Sequence, residues 1–272
     1  MKVRRTNSDK WKDAVIPAAS HVGAASAAIR NTAVGTRSRP QELLHTASWP
    51  GRMHRTTTPG GHAMYILYGA QGSGSAAVGV ALERCNAPFK WVRAPTWEPD
   101  SALAELERIN PVKQIPTLVL PDSTVMSESA AILIHLGLAF PDSALLPTDP
   151  NQRARSLRGL VYIAANCYAA VSVSDDPERW GTDPDEATIT RVRTAARAQL
   201  HWRWEIFTEL FPASPFYAGE RPGALDFLAA VVSKWSGTRA HFKTARPNFL
   251  ATLDAIDKHP DVVAVFSRHW DA

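Results

Sequence analysis

The chain has 272 residues and a mass of 29.7 kDa, room for one large domain or two modest ones at roughly 100–200 residues each. Apolar residues make up 45% and charged residues 21%, a globular composition that excludes wholesale disorder. The net charge of +4 is unevenly spread: residues 1–63 hold ten Lys or Arg against three Asp or Glu, and the remainder twenty against twenty-three. The basic balance therefore sits in the head of the chain and is no signature of nucleic-acid binding.

Residues 1–63 show no sustained apolar period and break at Pro17, Pro40, Pro50 and Pro59-Gly60-Gly61, which reads as a disordered extension. An acid-poor head with Arg and Ser also fits an organelle transit segment. An early start codon is a further reading, since Met64 directly precedes the first strand signal.

From Met64 to Pro141 strands and helices alternate. Tyr65-Ile66-Leu67-Tyr68 predicts a strand, Gly69 to Gly74 a loop, and Ser75 to Arg84 an Ala- and Val-rich helix with Ser75 as its N-cap. Phe89 to Arg93 alternates as a second strand. Ser101 to Arg108 reads as a helix capped by Ser101, with Glu105 in its first turns. Thr117 to Leu120 is a third strand, turned at Pro121-Asp122-Ser123 into a short fourth, Thr124 to Met126. Ser127 is the expected cap of a helix running to about Ala139. The order is βαβαββα, with a parallel first pair and an antiparallel edge hairpin.

After Pro141 the strand signals stop. Helices are expected over 151–173, 186–211, 223–240, 246–258 and 261–269, the third placing Leu225, Leu228, Ala229, Val232 and Trp235 on one face. The Pro141 to Pro150 linker, with three prolines, marks the domain boundary. Ala130 to Phe140 is the longest strongly apolar stretch and falls far short of the roughly 20 residues that span a bilayer, so no membrane partner is expected. Cys85 and Cys167 lie in no CxxC pair and read as buried structural thiols. The nine histidines show no ligand spacing, so no metal is expected. Trp202, Trp204 and Phe207 read as core.

Two readings compete for the loop after the first strand. Gly72-Ser73-Gly74-Ser75-Ala76-Ala77 matches the dinucleotide pattern G-x-G-x-x-G/A, with Glu98 some way downstream. A doubly wound sheet should then continue with further βα units, and here the sheet ends in a hairpin. The other local reading is a glycine-rich turn that binds nothing.

Other motifs point to a family. Asn110-Pro111-Val112-Lys113-Gln114-Ile115-Pro116 resembles the asparagine-proline…valine-proline segment of glutathione S-transferases. Ser127-Glu128-Ser129-Ala130-Ala131-Ile132 is similar to the glutamate-serine motif opening their third helix. Ser75 to Glu83 resembles their first helix, and Gly219 to Leu228 their "G…S-x-A-D-x-x-L" segment, with Asp226 kept and Gly223 standing where Ser or Thr is common. The resemblance covers about residues 64–272. It implies a thioredoxin-like domain over 64–141 that binds glutathione, an all-helical domain over 150–272 that supplies an electrophile pocket, and a cytoplasmic homodimer. Glutathione enters as co-substrate, and no cofactor is implied.

The family's catalytic side chain lies just after the first strand and is Tyr, Ser or Cys. This loop offers Ser73 and Ser75, expected to donate to the glutathione thiolate at the positive end of the first helix. The cysteine of a bacterial class that otherwise aligns falls on Gly74, so that class's mechanism is not implied. Glu128 and Ser129 are expected at the γ-glutamyl end of the peptide, where helix-start amides attract an anion. Gln114, Ile115 and Pro116 are expected along its cysteinyl unit, with Pro116 a candidate for a cis bond. Lys113 reads as a solvated loop cation or a partner of the glycine carboxylate. Tyr162, Asn166 and Tyr168 are candidates for the electrophile pocket, or half-buried core residues. The function implied is conjugation of glutathione to a small apolar electrophile. The alternatives are a transferase-like binding protein without turnover, and a glutathione-dependent reductase or isomerase.

Overall fold

The computed structural model describes residues 64–270; the expected disordered extension lies outside them. Strand β1 (Tyr65–Gly69) is central. It pairs parallel with β2 (Phe89–Arg93) and antiparallel with β3 (Thr117–Val119), and β3 pairs antiparallel with β4 (Val125–Met126). The sheet order is β2-β1-β3-β4, and with α1 (Ser75–Arg84), α2 (Leu103–Ile109) and α3 (Ser129–Ala139) it makes the expected βαβαββα unit.

The period of two in β1 divides the two faces. Tyr65 and Leu67 enter the main core under α1 and α3, while Tyr68 joins Ala94 and Leu106 in a second cluster under α2. There the Tyr68 hydroxyl donates to the Glu105 carboxylate at 2.5 Å. Every residue of α1 from Ser75 to Leu82 is buried, because this helix is wedged between the sheet side and helices α3, α7 and α10. Small Ala and Val side chains permit that approach.

The helical region holds α4 (Pro150–Tyr162), a π-helical turn (Ile163–Tyr168), α5 (Ala169–Asp175), α6 (Glu186–Leu210), α7 (Ala224–Val232), α8 (Thr238–Ala245), α9 (Pro247–Asp257) and α10 (Pro260–His269). Short 3₁₀ turns cover Pro141–Ser143 and Pro177–Trp180. The helix expected over 223–240 is in fact two, broken where Ser236 and Gly237 take positive φ. Every residue of α7 is buried, so the one apolar face expected there is a helix enclosed on all sides.

The run 150–175 is also longer and more apolar than its sequence first suggests, and by length and composition would pass for a membrane span. It is a core helix here, with Leu160, Ile163, Cys167, Ala170 and Val171 buried and α6 and α7 packed against it.

Three expected serine caps are not caps. Gly74 is the N-cap of α1, Ala102 of α2 and Glu128 of α3, none with a side-chain capping bond. The Ser101 hydroxyl instead donates to the carbonyls of Pro95 and Glu98. Ser127 is displaced from its expected role because Glu128 takes φ 67° and turns the chain sharply into α3.

Gly223 does start α7, and its lack of a side chain is explained by space. A Cβ there would lie 2.7 Å from both the Ala218 Cβ and the Leu145 carbonyl oxygen. The buried Asp226 carboxylate accepts from the backbone N–H of Gly223, Tyr217 and Ala218 at 2.9, 2.9 and 3.2 Å. Burial pushes its carboxyl up to about 6 against those three donors, which pull it down.

The two halves are clamped at the end of α1. There the Arg84 guanidinium pairs with Asp261 at the start of α10 and donates to the carbonyls of Ser143 and Pro222.

Candidate active site

A cavity of about 640 Å³ opens between the sheet side and the helical region. One wall is the turn before β3 together with the start of α3. Asn110, buried at the end of α2, braces that turn: its side chain donates to the Gln114 carbonyl at 3.3 Å and to Thr117 Oγ1 at 2.8 Å, and accepts from Val112 N–H. Thr117 returns a bond to the Gln114 carbonyl. These braces present Lys113, Gln114, Ile115 and Pro116 to the cavity, and the Ile115–Pro116 bond is cis. Glu128 and Ser129 line the cavity beside them. Lys113 and Glu128, both non-glycine residues, hold φ values of 58° and 67°. Such strained positions concentrate where a ligand must be met.

The opposite wall is helical, with Ala164, Tyr168, Ala169, Ser172 and Arg179 on the cavity. Of the three residues expected there, only Tyr168 lines it. Tyr162 and Asn166, four residues apart, share the opposite face of the helix. The Tyr162 hydroxyl donates to the Arg203 carbonyl at 2.8 Å and its ring packs on Phe207 and Phe211. Arg203 donates to the Asn166 carbonyl at 2.8 Å. These two residues fasten the helix to α6. The π-turn from Ile163, which includes Asn166, carries the chain round to Tyr168, whose burial and proximity to Glu128 push its phenol up to about 12.

The loop serines depart from expectation. Ser73 Oγ and Ser75 Oγ lie 2.8 and 3.2 Å from the Ala70 carbonyl oxygen and 2.8 Å from each other, so one hydroxyl donates to that carbonyl and the other to the carbonyl or to its neighbour. Ser73 Oγ also accepts from the N–H of Ala70 and Ser75. Ser75 is fully buried and borders a different cavity of about 500 Å³, with Trp91, Glu83, Arg268 and His269. A closed, tight loop needs its own hydroxyls to satisfy the backbone, and that need claims both serines. Lys113 Nζ pairs with Glu107 at 2.7 Å. Cys167 is buried, Cys85 half-buried, and burial raises both thiols.

Sequence reasoning passed over Asn110 and Thr117 as braces, and over Arg179. Asn110 stood inside a quoted motif, with a hydrogen-bonding side chain two residues before a turn, and that was a usable signal. Arg179 carried none.

Gly74 stands at the head of α1 beside the cavity. A Cβ built on it would lie 3.1 Å from Ser129 Oγ, 3.1 Å from Tyr168 Oη and 3.3 Å from Pro116 Cδ. Among the described residues, no group of three or more His, Cys, Asp and Glu is gathered as a metal site.

Residues 75–138 match the family model described as glutathione S-transferase, N-terminal domain. The chain is 28% identical over 207 residues to an uncharacterized GST-like protein, YncG, of Escherichia coli K12, covering 76% of this chain and 98% of that one. In structure it is similar to a glutathione transferase homologue from Sulfitobacter solved with bound glutathione, with a TM-score of 0.66 at 22% identity, covering 76% and 99%. A sphingomonad glutathione S-transferase complexed with glutathione gives 0.62 at 20% identity, covering 76% and 100%. Residues 75–138 thus resemble the N-terminal domain of glutathione S-transferases, and the described chain shares the fold of solved members of that family.

Proposed function

We propose that the protein binds glutathione in the 640 Å³ cavity and joins its thiol to a small apolar electrophile. The observation that carries this reading is the gathering of Gln114, Ile115, Pro116, Glu128 and Ser129 on one wall of that cavity. Glutathione brings two carboxylates, one ammonium group and a thiol. At the N-terminus of α3, free amides and the Ser129 hydroxyl suit the γ-glutamyl carboxylate, while Glu128 suits the adjacent ammonium. In this reading the Ile115 backbone pairs with the cysteinyl unit and Gln114 reaches its polar groups. Lys113 and Arg179, exchanging their surface partners Glu107 and Asp176, would supply positive charge for the remaining carboxylate.

In this reading residues 64–141 form the glutathione-binding domain and the helices from 150 onward form the electrophile domain. The similarity to glutathione S-transferases favours a cytoplasmic homodimer with a role in detoxification. Calorimetric titration with glutathione, followed by a conjugation assay with an activated haloaromatic, tests the reading. Micromolar to millimolar binding with turnover supports it, and the absence of glutathione binding overturns it.

The second reading is a binding protein without turnover. It is favoured by the bare Gly74 at the head of α1 and by the two loop serines committed within their loop. Binding without conjugation would select it.

A further inference from the structure

We infer that the Tyr168 hydroxyl, carried on the helical wall, donates the hydrogen bond that holds the glutathione sulfur as a thiolate in this chain. The inference rests on the glutathione reading above and names the group which that reading lacks.

Gly74 marks where a loop side chain at the head of α1 would meet the cavity wall. As N-cap of α1 it stands at the positive end of that helix, and it contributes no side chain. The direction its Cβ would take is filled from across the cavity, with Tyr168 Oη and Ser129 Oγ each 3.1 Å away. A hydroxyl from the helical region thus reaches the place that a loop side chain would otherwise occupy. The two loop hydroxyls cannot compete for the task, since both spend their protons within the loop, on the Ala70 carbonyl or on each other. Among the described residues Tyr168 Oη makes no hydrogen bond, so its proton is free for a ligand.

The ring is held in place. It packs edge-on against Trp235 at 5.3 Å between centroids, and the Trp235 indole N–H donates to the Gly72 carbonyl at 3.0 Å. The loop, the tryptophan and the tyrosine therefore form one connected unit. The π-turn Ile163–Tyr168 ends on this residue, and such turns often re-aim a side chain at a working site.

The chemistry follows from the surroundings. The charged groups bordering the cavity are Glu128, Lys113 and Arg179. Burial and the Glu128 charge keep the phenol protonated at neutral pH, which makes it a donor and not a rival anion. Glutathione gives up its thiol proton to solvent. The thiolate's electron pair forms the sulfur–carbon bond, and the halide leaves with the bonding pair of the broken carbon–halogen bond. Tyr168 keeps its own proton throughout. A hydrogen bond to the charged form lowers the thiol's pKa.

The test is Tyr168→Phe in the full chain, which removes one oxygen and preserves the ring packing on Trp235. Calorimetry should show glutathione affinity within about threefold of wild type, because the peptide's charged ends are held elsewhere. The ultraviolet thiolate band of the saturated complex should titrate about one pH unit higher, a tenfold loss of thiolate at pH below both midpoints. The kcat/KM with a chlorodinitrobenzene should fall at least about tenfold at neutral pH and recover toward wild type as pH rises past the new midpoint. A merely structural tyrosine would leave that midpoint in place. An unchanged midpoint and rate, in a protein whose wild type binds glutathione, overturns the Tyr168 assignment alone. A wild type that fails to bind glutathione overturns the glutathione reading, and this inference with it.

Discussion

The two walls of the cavity are assembled over different ranges of sequence. The sheet-side wall runs from Asn110 to Ser129, and its shape comes from bonds spanning a few residues, such as Asn110 to Gln114 and Thr117. The helical wall depends on partners far along the chain. Tyr168 is oriented by Trp235, which is itself tied back to Gly72. A wall built locally can be read as a motif, whereas a wall built by packing cannot. This contrast predicts where mutations act: on the first wall they should change ligand binding, and behind the second they should change stability.

The largest effect is expected behind the helical wall. Asp226→Ala strips the acceptor from three backbone N–H groups at the start of the fully buried α7. Unfolding in urea should show a loss of about 3–5 kcal/mol, the scale of several unpaired buried donors. A loss below about 1 kcal/mol would mean that α7 is not the keystone of the helical region.

On the other wall, Glu128→Ala combined with Ser129→Ala should weaken glutathione binding by about 2–4 kcal/mol, because a bound ammonium and carboxylate lose their partners. The melting temperature should change little, since neither side chain caps α3. Wild-type affinity by calorimetry would remove both residues from the γ-glutamyl site.

Asn110→Ala tests whether local bracing shapes that wall. It touches no ligand, yet it frees the Gln114 carbonyl and Val112 N–H from one partner each. We expect about 1–3 kcal/mol of lost stability together with weaker glutathione binding. Lost stability with unchanged affinity would separate the brace from the site.

How much was legible in the sequence follows the same division. Strand alternation and glycine and proline punctuation placed β1 to β4, α1 and α3 within a residue or two. The turn at Gln114-Ile115-Pro116 and the pair Glu128-Ser129 were found as motifs, because consecutive residues make that wall. The serine caps failed because a hydroxyl before a helix can serve the backbone in several ways: Ser101 and Ser75 approach carbonyls of preceding turns, while the positive φ of Glu128 displaces Ser127. Grouping Tyr162, Asn166 and Tyr168 overlooked that six residues of helix carry a side chain to the other face, and the π-turn left no mark in the sequence. The break at Ser236-Gly237 was marked by its glycine, but an apolar pattern continuing on both sides concealed it.

The smallest effect sharpens the distinction between the loop and the cavity. Ser75→Ala removes a buried hydroxyl bonded to the Ala70 carbonyl and should cost about 1 kcal/mol of stability. The pH midpoint of the bound thiol should stay where it is, because Ser75 faces the other cavity. A rise in that midpoint would return the thiol to the loop serine.

The most direct test of the central claim is a crystal structure of the full chain with glutathione. The account predicts the peptide in the cavity between the two walls, with its γ-glutamyl end at Glu128 and Ser129 and its sulfur beside Gly74, within hydrogen-bonding distance of Tyr168 Oη. Glutathione seated instead in the cavity lined by Ser75, Trp91 and His269, or with its sulfur turned away from Gly74, would contradict it.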